Sequence, residues 1–291
     1  MTNAAIAIGS NSTRLLALDA SGKALRARAE TKLMLGVLPD GNISREAMDN
    51  TAQAVLALKM QAQAFGASKV TLYATSATRD ARNGEEFARI IKAVAGLELN
   101  VIPGEREALL AFKAASRGEN CAVIDIGGGS TETTFGAGER IFGAVSAQLG
   151  ASRLMKEGLI TSLSDARRTL EDVRVRLKAA YGALLELARP PRLFGIGGTC
   201  TTAAAIHRNT DSHGDDLEDT HLTLDQVRAQ LEMLAPMTPE QRALVRGLYP
   251  SRVLIMPHGL CILIAAMELF GFDELTVSVR NNLDALIMEN E

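Results

Sequence analysis

Two short segments that could bind phosphate follow one pattern, although they lie far apart in the chain. The first is Ala5–Arg14 (AIAIGSNSTR), and the second is Val123–Glu132 (VIDIGGGSTE), 118 positions further along. Each is an apolar run that leads into a turn of Gly, Ser or Asn. Such turns leave backbone N–H groups open to an anion. One copy alone would be typical of an ordinary hairpin, but two copies predict similar half-molecules that present two phosphate loops to one cleft. The candidate loop residues are Gly9, Ser10, Asn11, Ser12, Gly127, Gly128, Gly129 and Ser130.

The second copy adds carboxylates to this pattern. Asp125 stands where the first copy has Ala7, at the end of the apolar run, and Glu132 follows the turn. A carboxylate at the end of a buried strand can bind a hard cation directly or through water. The alternatives are that Asp125 caps the turn and that Glu132 is a solvent-facing residue of a strand.

Two further groups could act on a phosphoryl centre. Glu105 and Glu107 lie in the predicted first turn of a helix after Pro103-Gly104. Acidic residues favour that position because of the helix dipole, but one of them could also deprotonate water for attack on phosphorus. Arg79 and Arg14 follow polar turns, and a guanidinium group there could contact phosphate oxygens. The sequence alone does not separate these alternatives.

Other nucleotide and metal motifs are absent from the sequence. No GxxxxGK[ST] loop occurs, and the run Gly195–Cys200 begins like GxGxxG but has a cysteine in place of the third glycine. The four histidines do not have the spacing of metal ligands; they are His207, His213, His221 and His258.

The composition is that of a globular protein of two ordinary domains. The chain has 291 residues, 47% of them hydrophobic and 22% charged, and a net charge of −3. This charge argues against nucleic-acid binding. The longest apolar stretch, Val253–Phe270, is interrupted by Pro257-His258-Gly259, so we expect no membrane span. Three separated cysteines in apolar surroundings suggest free thiols and a cytoplasmic location.

Alternating patterns predict the elements. We expect a hairpin of strands 4–8 and 15–19, a helix from Ser44 to Phe65 that ends at Gly66, and a long helix over 164–188. Leu193–Ile196 is predicted as a strand that enters a Gly197-Gly198-Thr199 turn before a helix at 201–206. Segment 207–220 is predicted as a surface loop. The sequence thus predicts a duplicated α/β fold with a mixed sheet in each half, residues 1–118 and 119–291.

Taken together, these motifs resemble the exopolyphosphatase/guanosine pentaphosphate phosphatase (Ppx/GppA) family of the actin, hexokinase and acetate kinase superfamily. The resemblance covers nearly the whole chain. It rests on six segments: 8–12 (IGSNS), 74–83 (ATSATRDARN), 104–108 (GEREA), 124–132 (IDIGGGSTE), 197–199 (GGT) and 257–259 (PHG).

The resemblance implies two ribonuclease H-like domains with an active site in the cleft. It implies Mg²⁺-dependent release of terminal phosphate from polyphosphate or guanosine pentaphosphate, and a possible homodimer. By position, Glu107 would be the base and Arg79 a phosphate contact, while Asp125 would hold the metal with support from Glu132. The two Gly/Ser loops and Gly197, Gly198 and Thr199 would bind phosphate.

Two positions depart from the family pattern. The family has Asp where this chain has Ala7, and Arg where it has Leu283. These departures motivate one alternative, a catalytically impaired protein that binds polyphosphate or nucleotide. A second alternative is a small-molecule kinase of the same superfamily, in which Gly197–Thr199 would face an adenosine.

Overall fold

The computed structural model describes residues 2–212 and 214–289, which form two compact units. The first unit runs to Leu110 and includes the chain from Asn282 onward, and the second is Ala111–Asn281. Each unit is organised around one mixed sheet with its own apolar core.

In the first unit, the described residues form a five-stranded sheet in the order β3-β2-β1-β4-β5. The strands are β1 Thr2–Ile8, β2 Thr13–Leu18, β3 Ala24–Ala29, β4 Ala67–Ala74 and β5 Leu99–Val101. The helices are α1 Arg45–Ala64, α2 Ser76–Arg79, α3 Gly84–Ala95 and α4 Gly104–Ala115, with a 3-10 helix at Leu33–Gly36. Strand β1 is antiparallel to β2 and parallel to β4.

In the second unit, the described residues form a six-stranded sheet in the order β10-β11-β9-β6-β7-β8. Its elements are β6 Asn120–Ile126, β7 Thr131–Ala137, β8 Arg140–Ala147, α5 Ala151–Glu157, α6 Leu163–Ala180, α7 Gly182–Leu185, β9 Leu193–Ile196, α8 Gly197–His207, β10 Thr220–Thr223, α9 Leu224–Leu234, α10 Pro239–Arg242, α11 Met256–Phe270 and β11 Glu274–Val277, with 3-10 helices at Asp215–Leu217 and Pro250–Arg252. The final helix, α12 Asn282–Glu289, belongs to the first unit.

Most of the predicted elements are present, and their local causes are visible. Ser44 caps α1, because its hydroxyl accepts a hydrogen bond from the Ala47 amide. The apolar stretch before residue 270 forms the buried core helix α11, and no described helix is both long and apolar enough to cross a bilayer. The sequence did not predict the edge strand β3, the short helix α5, strand β10 or the three 3-10 helices, and the polar turn predicted before Arg79 is the short helix α2.

Helix boundaries differ from the prediction in two places. The predicted helix over 164–188 is broken at Tyr181, whose backbone leaves the helical region between α6 and α7. The predicted turn at Gly197–Thr199 was wrong, because helix α8 begins directly at Gly197. The division between the two units lies within α4, whereas the sequence suggested residue 118, at the end of the following turn.

Candidate active site

The first Gly/Ser loop connects β1 to β2 and is tied down through its carbonyl groups. The Gly9 amide closes the loop by donating to the Ser12 carbonyl at 3.0 Å. The carbonyls of Ser10 and Asn11 accept hydrogen bonds from the Met34 and Lys32 amides, each at 2.8 Å. Within the described residues, the amides of Ser10, Asn11 and Ser12 donate to no backbone carbonyl. The loop therefore has amides that the fold itself does not use and that suit an anion.

The second loop, between β6 and β7, is held in the same way. Gly127 donates to the Ser130 carbonyl at 3.0 Å, and the Gly128 carbonyl accepts from Ser152 at 2.9 Å. Close packing on α5 requires a glycine at position 150, where a Cβ would lie 2.4 Å from the Gly129 nitrogen. The amides of Gly128, Gly129 and Ser130 donate to no backbone carbonyl in the part of the chain that the structure describes.

The internal repeat extends beyond the loops themselves. Ile8 pairs with Thr13 in the first hairpin, and Ile126 pairs with Thr131 in the second. The amides that hold Ser10 and Gly128 belong to Met34 and Ser152, which are again separated by 118 positions. The similarity of the two halves, predicted from two ten-residue segments, therefore extends to the hydrogen bonds that hold each loop.

Arg79 and Glu107 form the charged pair of the first unit. Arg79 Nη1 donates to Glu107 Oε2 and to the Ile102 carbonyl, both at 3.1 Å. Glu107 is 7% exposed, whereas Glu105, two residues earlier in the same helical turn, is exposed. Burial thus distinguishes Glu107 from Glu105, which the sequence alone could not do. Arg79 Nη2 is buried and has no hydrogen-bond partner within the described residues, so it can still donate to a ligand.

The topology of the first unit brings these groups to one sheet edge. Ile8 at the end of β1 lies beside Ala74 of β4, and Ala74 lies beside Val101 of β5, in parallel register. The Gly9–Ser12 loop, α2 with Arg79, and the start of α4 with Glu107 follow the carboxyl ends of these three strands. Ligands of open α/β sheets bind at such an edge.

Asp125 and Glu132 form a carboxylate pair in the second unit. They are directly opposite each other in the β6–β7 ladder, so their side chains point to the same face. Both are buried, at 7% and 2% exposure, and Ser146 Oγ donates to Glu132 Oε1 at 2.6 Å. The alternative of a solvent-facing Glu132 is therefore wrong.

Gly197–Thr199 form the first turn of α8, at the carboxyl end of β9 and beside Asp125. Gly197 has φ +78°, and a Cβ there would lie 2.3 Å from Asp125 Oδ1. Gly259 of α11 allows Thr199 a close approach, since a Cβ on Gly259 would lie 2.5 Å from Thr199 Oγ1. That hydroxyl is buried and has no hydrogen-bond partner among the described residues.

One site residue, Arg252, was missed by the sequence analysis. It ends the 3-10 helix before α11 and is only 8% exposed. A Cβ on Gly198 would lie 1.5 Å from its Nη2 atom, so the guanidinium group rests on the first turn of α8. The available signal was a single arginine ahead of the apolar stretch that contains Pro257-His258-Gly259.

The two residues that depart from the family pattern, Ala7 and Leu283, both belong to the first unit. Ala7 lies opposite Arg14 in the β1–β2 ladder, at the register that Asp125 and Glu132 occupy in the second unit. Asp19, a possible substitute carboxylate, lies in an exposed turn at the far end of β2 and bonds Ser21 and Lys23. Leu283 is a buried residue of α12.

Histidine and cysteine chemistry are not indicated by the described residues. No three His, Cys, Asp or Glu residues lie close enough there to hold a metal ion by themselves. His258 is buried and donates from Nε2 to the Gly158 carbonyl at 2.8 Å, while His213 lies outside the described residues. Burial raises the pKa of Cys121 and Cys261 to about 12 and that of Cys200 further, so none is an active thiol.

Comparison with known proteins identifies the family. The chain matches the Ppx/GppA phosphatase family over residues 21–282. It belongs to that family. As a Ppx/GppA phosphatase it is 33% identical to exopolyphosphatase 2 of Mycobacterium tuberculosis, over 98% of this chain and 97% of the relative. The resemblance inferred from the six motifs is therefore confirmed, and with it the prediction of an enzyme.

Solved structures agree with the fold of this Ppx/GppA phosphatase. The Aquifex aeolicus Ppx/GppA enzyme superposes with a TM-score of 0.80 at 27% identity, over 99% of each chain. An exopolyphosphatase from Cytophaga hutchinsonii gives a TM-score of 0.88 at 22% identity, over 100% of this chain and 97% of the other. The predicted pair of ribonuclease H-like α/β domains is confirmed.

Proposed function

We propose that this phosphatase is a Mg²⁺-dependent exopolyphosphatase, which removes the terminal phosphate of inorganic polyphosphate. The observation that carries the proposal is the ion pair between buried Glu107 and partly buried Arg79, at the same sheet edge as a loop in which the amides of Ser10, Asn11 and Ser12 donate to no backbone carbonyl of the described residues. The name of the mycobacterial relative supports polyphosphate as the substrate.

Glu107 acts as the general base in this proposal. Its carboxylate, held in place by Arg79, accepts a proton from water while the water oxygen attacks the terminal phosphorus in line. The bond between water oxygen and phosphorus forms as the bond to the bridging oxygen breaks. The products are inorganic phosphate and a chain shorter by one phosphate unit.

Each unit offers donors for the charge of phosphate groups. In the first unit these are Arg79 Nη2 and the amides of Ser10, Asn11 and Ser12, and in the second unit they are the amides of Gly128, Gly129 and Ser130. At the start of α8, Thr199 Oγ1 and the helix N-terminus add further donors. Arg252 supplies a positive charge at the same turn.

The residues of the second unit fit a magnesium ion. Mg²⁺ is usually held by one or two carboxylates together with water and substrate phosphates. Asp125 and Glu132 are such a pair, buried and opposite each other in one ladder. When bound there, Mg²⁺ would neutralise phosphate charge and orient the chain.

The test compares substrates under one set of conditions. Purified protein with Mg²⁺ is given long-chain polyphosphate, guanosine pentaphosphate, or polyphosphate with ADP, and released phosphate and newly formed ATP are measured. Release of phosphate from polyphosphate without ATP supports the proposal. Preferential release from guanosine pentaphosphate, or transfer to ADP, would contradict it. Binding of polyphosphate without turnover would favour the impaired-binder alternative raised by Ala7 and Leu283.

A further inference from the structure

A pocket in the second unit has no role in the proposed reaction. Its volume is about 490 Å³, within the range of small-molecule sites. It is lined by Asn120, Arg140, Ile141, Phe142, Leu187, Ala188, Arg189 and Pro190. It lies at the ends of β6 and β8 away from the Gly127–Ser130 loop, since Asn120 begins β6 and Arg140 begins β8.

A break in the strand register places Phe142 in this pocket. Ile141 pairs with Gly136 and Gly143 pairs with Phe135, so Phe142 is an extra residue in β8, a β-bulge. Phe142 is 41% exposed on an edge strand. Bulges re-aim side chains, and an exposed aromatic ring in a concave site offers a stacking surface.

The charged lining residues of the pocket are both arginines. The Arg140 guanidinium lies 5.6 Å from the centroid of the Phe142 ring, and Arg140 forms no ion pair with any residue that the structure describes. Arg189 lies 5.2 Å from the centroid of Phe272 and donates to the Gly271 carbonyl. Glu119, next to the pocket, is engaged by Arg192 at 2.6 Å. The pocket is thus lined by two guanidinium groups, which are the side chains that bind phosphate oxygens most specifically.

We propose that this pocket binds a mononucleotide, with its phosphates at Arg140 and Arg189 and its base against Phe142. A bare phosphate chain would use the two arginines and leave the apolar lining, which includes Ile141 and Leu187, without a role. The Asn120 side chain supplies both a donor and an acceptor for the edge of a base. The site belongs to the second unit alone and does not depend on the proposed phosphatase mechanism.

The chain contains no tryptophan, so one can be introduced as a local reporter. F142W places the indole in the pocket, and L244W places it on a residue of the same unit that is 86% exposed. ADP is titrated in Mg²⁺-free buffer with EDTA. We expect saturable quenching of F142W but not of L244W, and an apparent Kd at least about tenfold weaker when R140A and R189A are added.

Three results would overturn the proposal. The first is no saturable response of F142W to ADP up to about 1 mM, the affinity expected from only a few contacts. The second is an equal response to tripolyphosphate, which would make the pocket a site for phosphate alone. The third comes from equilibrium dialysis of ADP with protein that retains Phe142: equal binding by wild type and the R140A/R189A variant would show that ADP binds elsewhere.

Discussion

Gly197 has no side chain at the point where Asp125 needs room. A Cβ on residue 197 would lie 2.3 Å from Asp125 Oδ1, and the φ of +78° is one that L-residues rarely adopt. Position 197 therefore requires a glycine for two reasons: its backbone conformation, and the space that the Asp125 carboxylate occupies in the proposed metal site.

Replacing Gly197 by Ala should therefore displace the Asp125 carboxylate. We expect the Mg²⁺ concentration for half-maximal phosphate release to rise and the maximal rate to fall by about tenfold or more. G138A is the matched control, because Gly138 also has positive φ, +58°, but a Cβ there would meet no atom within 4 Å. An equal effect of both substitutions would assign the loss to backbone strain and contradict the role given to Asp125.

Neutralising the carboxylate pair tests the metal site directly. D125N removes the negative charge of a proposed Mg²⁺ ligand. The Mg²⁺ concentration for half-maximal phosphate release should therefore rise by about tenfold or more. D19N, in an exposed turn of the other unit, is the control. Isothermal titration of Mg²⁺ gives the same comparison without turnover, and unchanged Mg²⁺ affinity in D125N would rule out this residue as a ligand.

Arg79 should have two roles in catalysis: it holds the carboxylate of Glu107 in place and donates a hydrogen bond to phosphate. R79A removes the group that holds Glu107 and a free donor, so kcat should fall by about 10²-fold or more. R79K should be intermediate, because an ammonium group keeps the charge but not the fork geometry. The exposed residue Arg82 provides the control R82A. If R79A changed KM but not kcat, Arg79 would bind substrate without a role in the chemical step.

The loss of folding stability at low pH should include a contribution from His258. Burial lowers its pKa below the ordinary value of 6.5, so below that pH the unfolded chain binds more protons at this residue than the folded one. Stability from this residue is complete above about pH 6.5 and is lost as the pH falls through the folded-state pKa.

The test compares thermal unfolding of wild type and H258Q at about pH 7.5 and 5.5, on either side of the ordinary histidine pKa. Glutamine keeps an amide donor for the Gly158 carbonyl but does not titrate. We expect the wild-type Tm to fall more between the two pH values than that of H258Q. Parallel decreases would show that His258 does not contribute.

The sequence was most informative where function depends on local chain geometry. The hairpin loops, the helix start that carries Glu107 and the repeat of Ala5–Arg14 in Val123–Glu132 are short-range patterns, and all of these elements are present. The start of α8 was placed several residues late because Gly197 and Gly198 are poor helix formers, and their close contacts to Asp125 and Arg252 are tertiary.

Other features depend on packing that no local pattern contains. Glu105 and Glu107 look alike in sequence, but only Glu107 is buried and paired with Arg79. Arg252 approaches Gly198 from a segment 54 positions away, which spacing arguments do not detect. The bulge at Phe142 depends on the register between β7 and β8. The sequence thus predicted the loops and the family, while the partners of each side chain required the structure.

The proposed role of Glu107 as the base that activates water can be tested with a matched pair of substitutions. Phosphate release from long-chain polyphosphate with Mg²⁺ is measured for wild type, E107Q and E105Q, since the two residues share a helical turn and only Glu107 is buried. We predict that E107Q loses about 10²- to 10⁴-fold in kcat, the usual contribution of a general base, while E105Q stays within a few-fold of wild type. Phosphate release by E107Q at the wild-type rate would show that Glu107 is not the base.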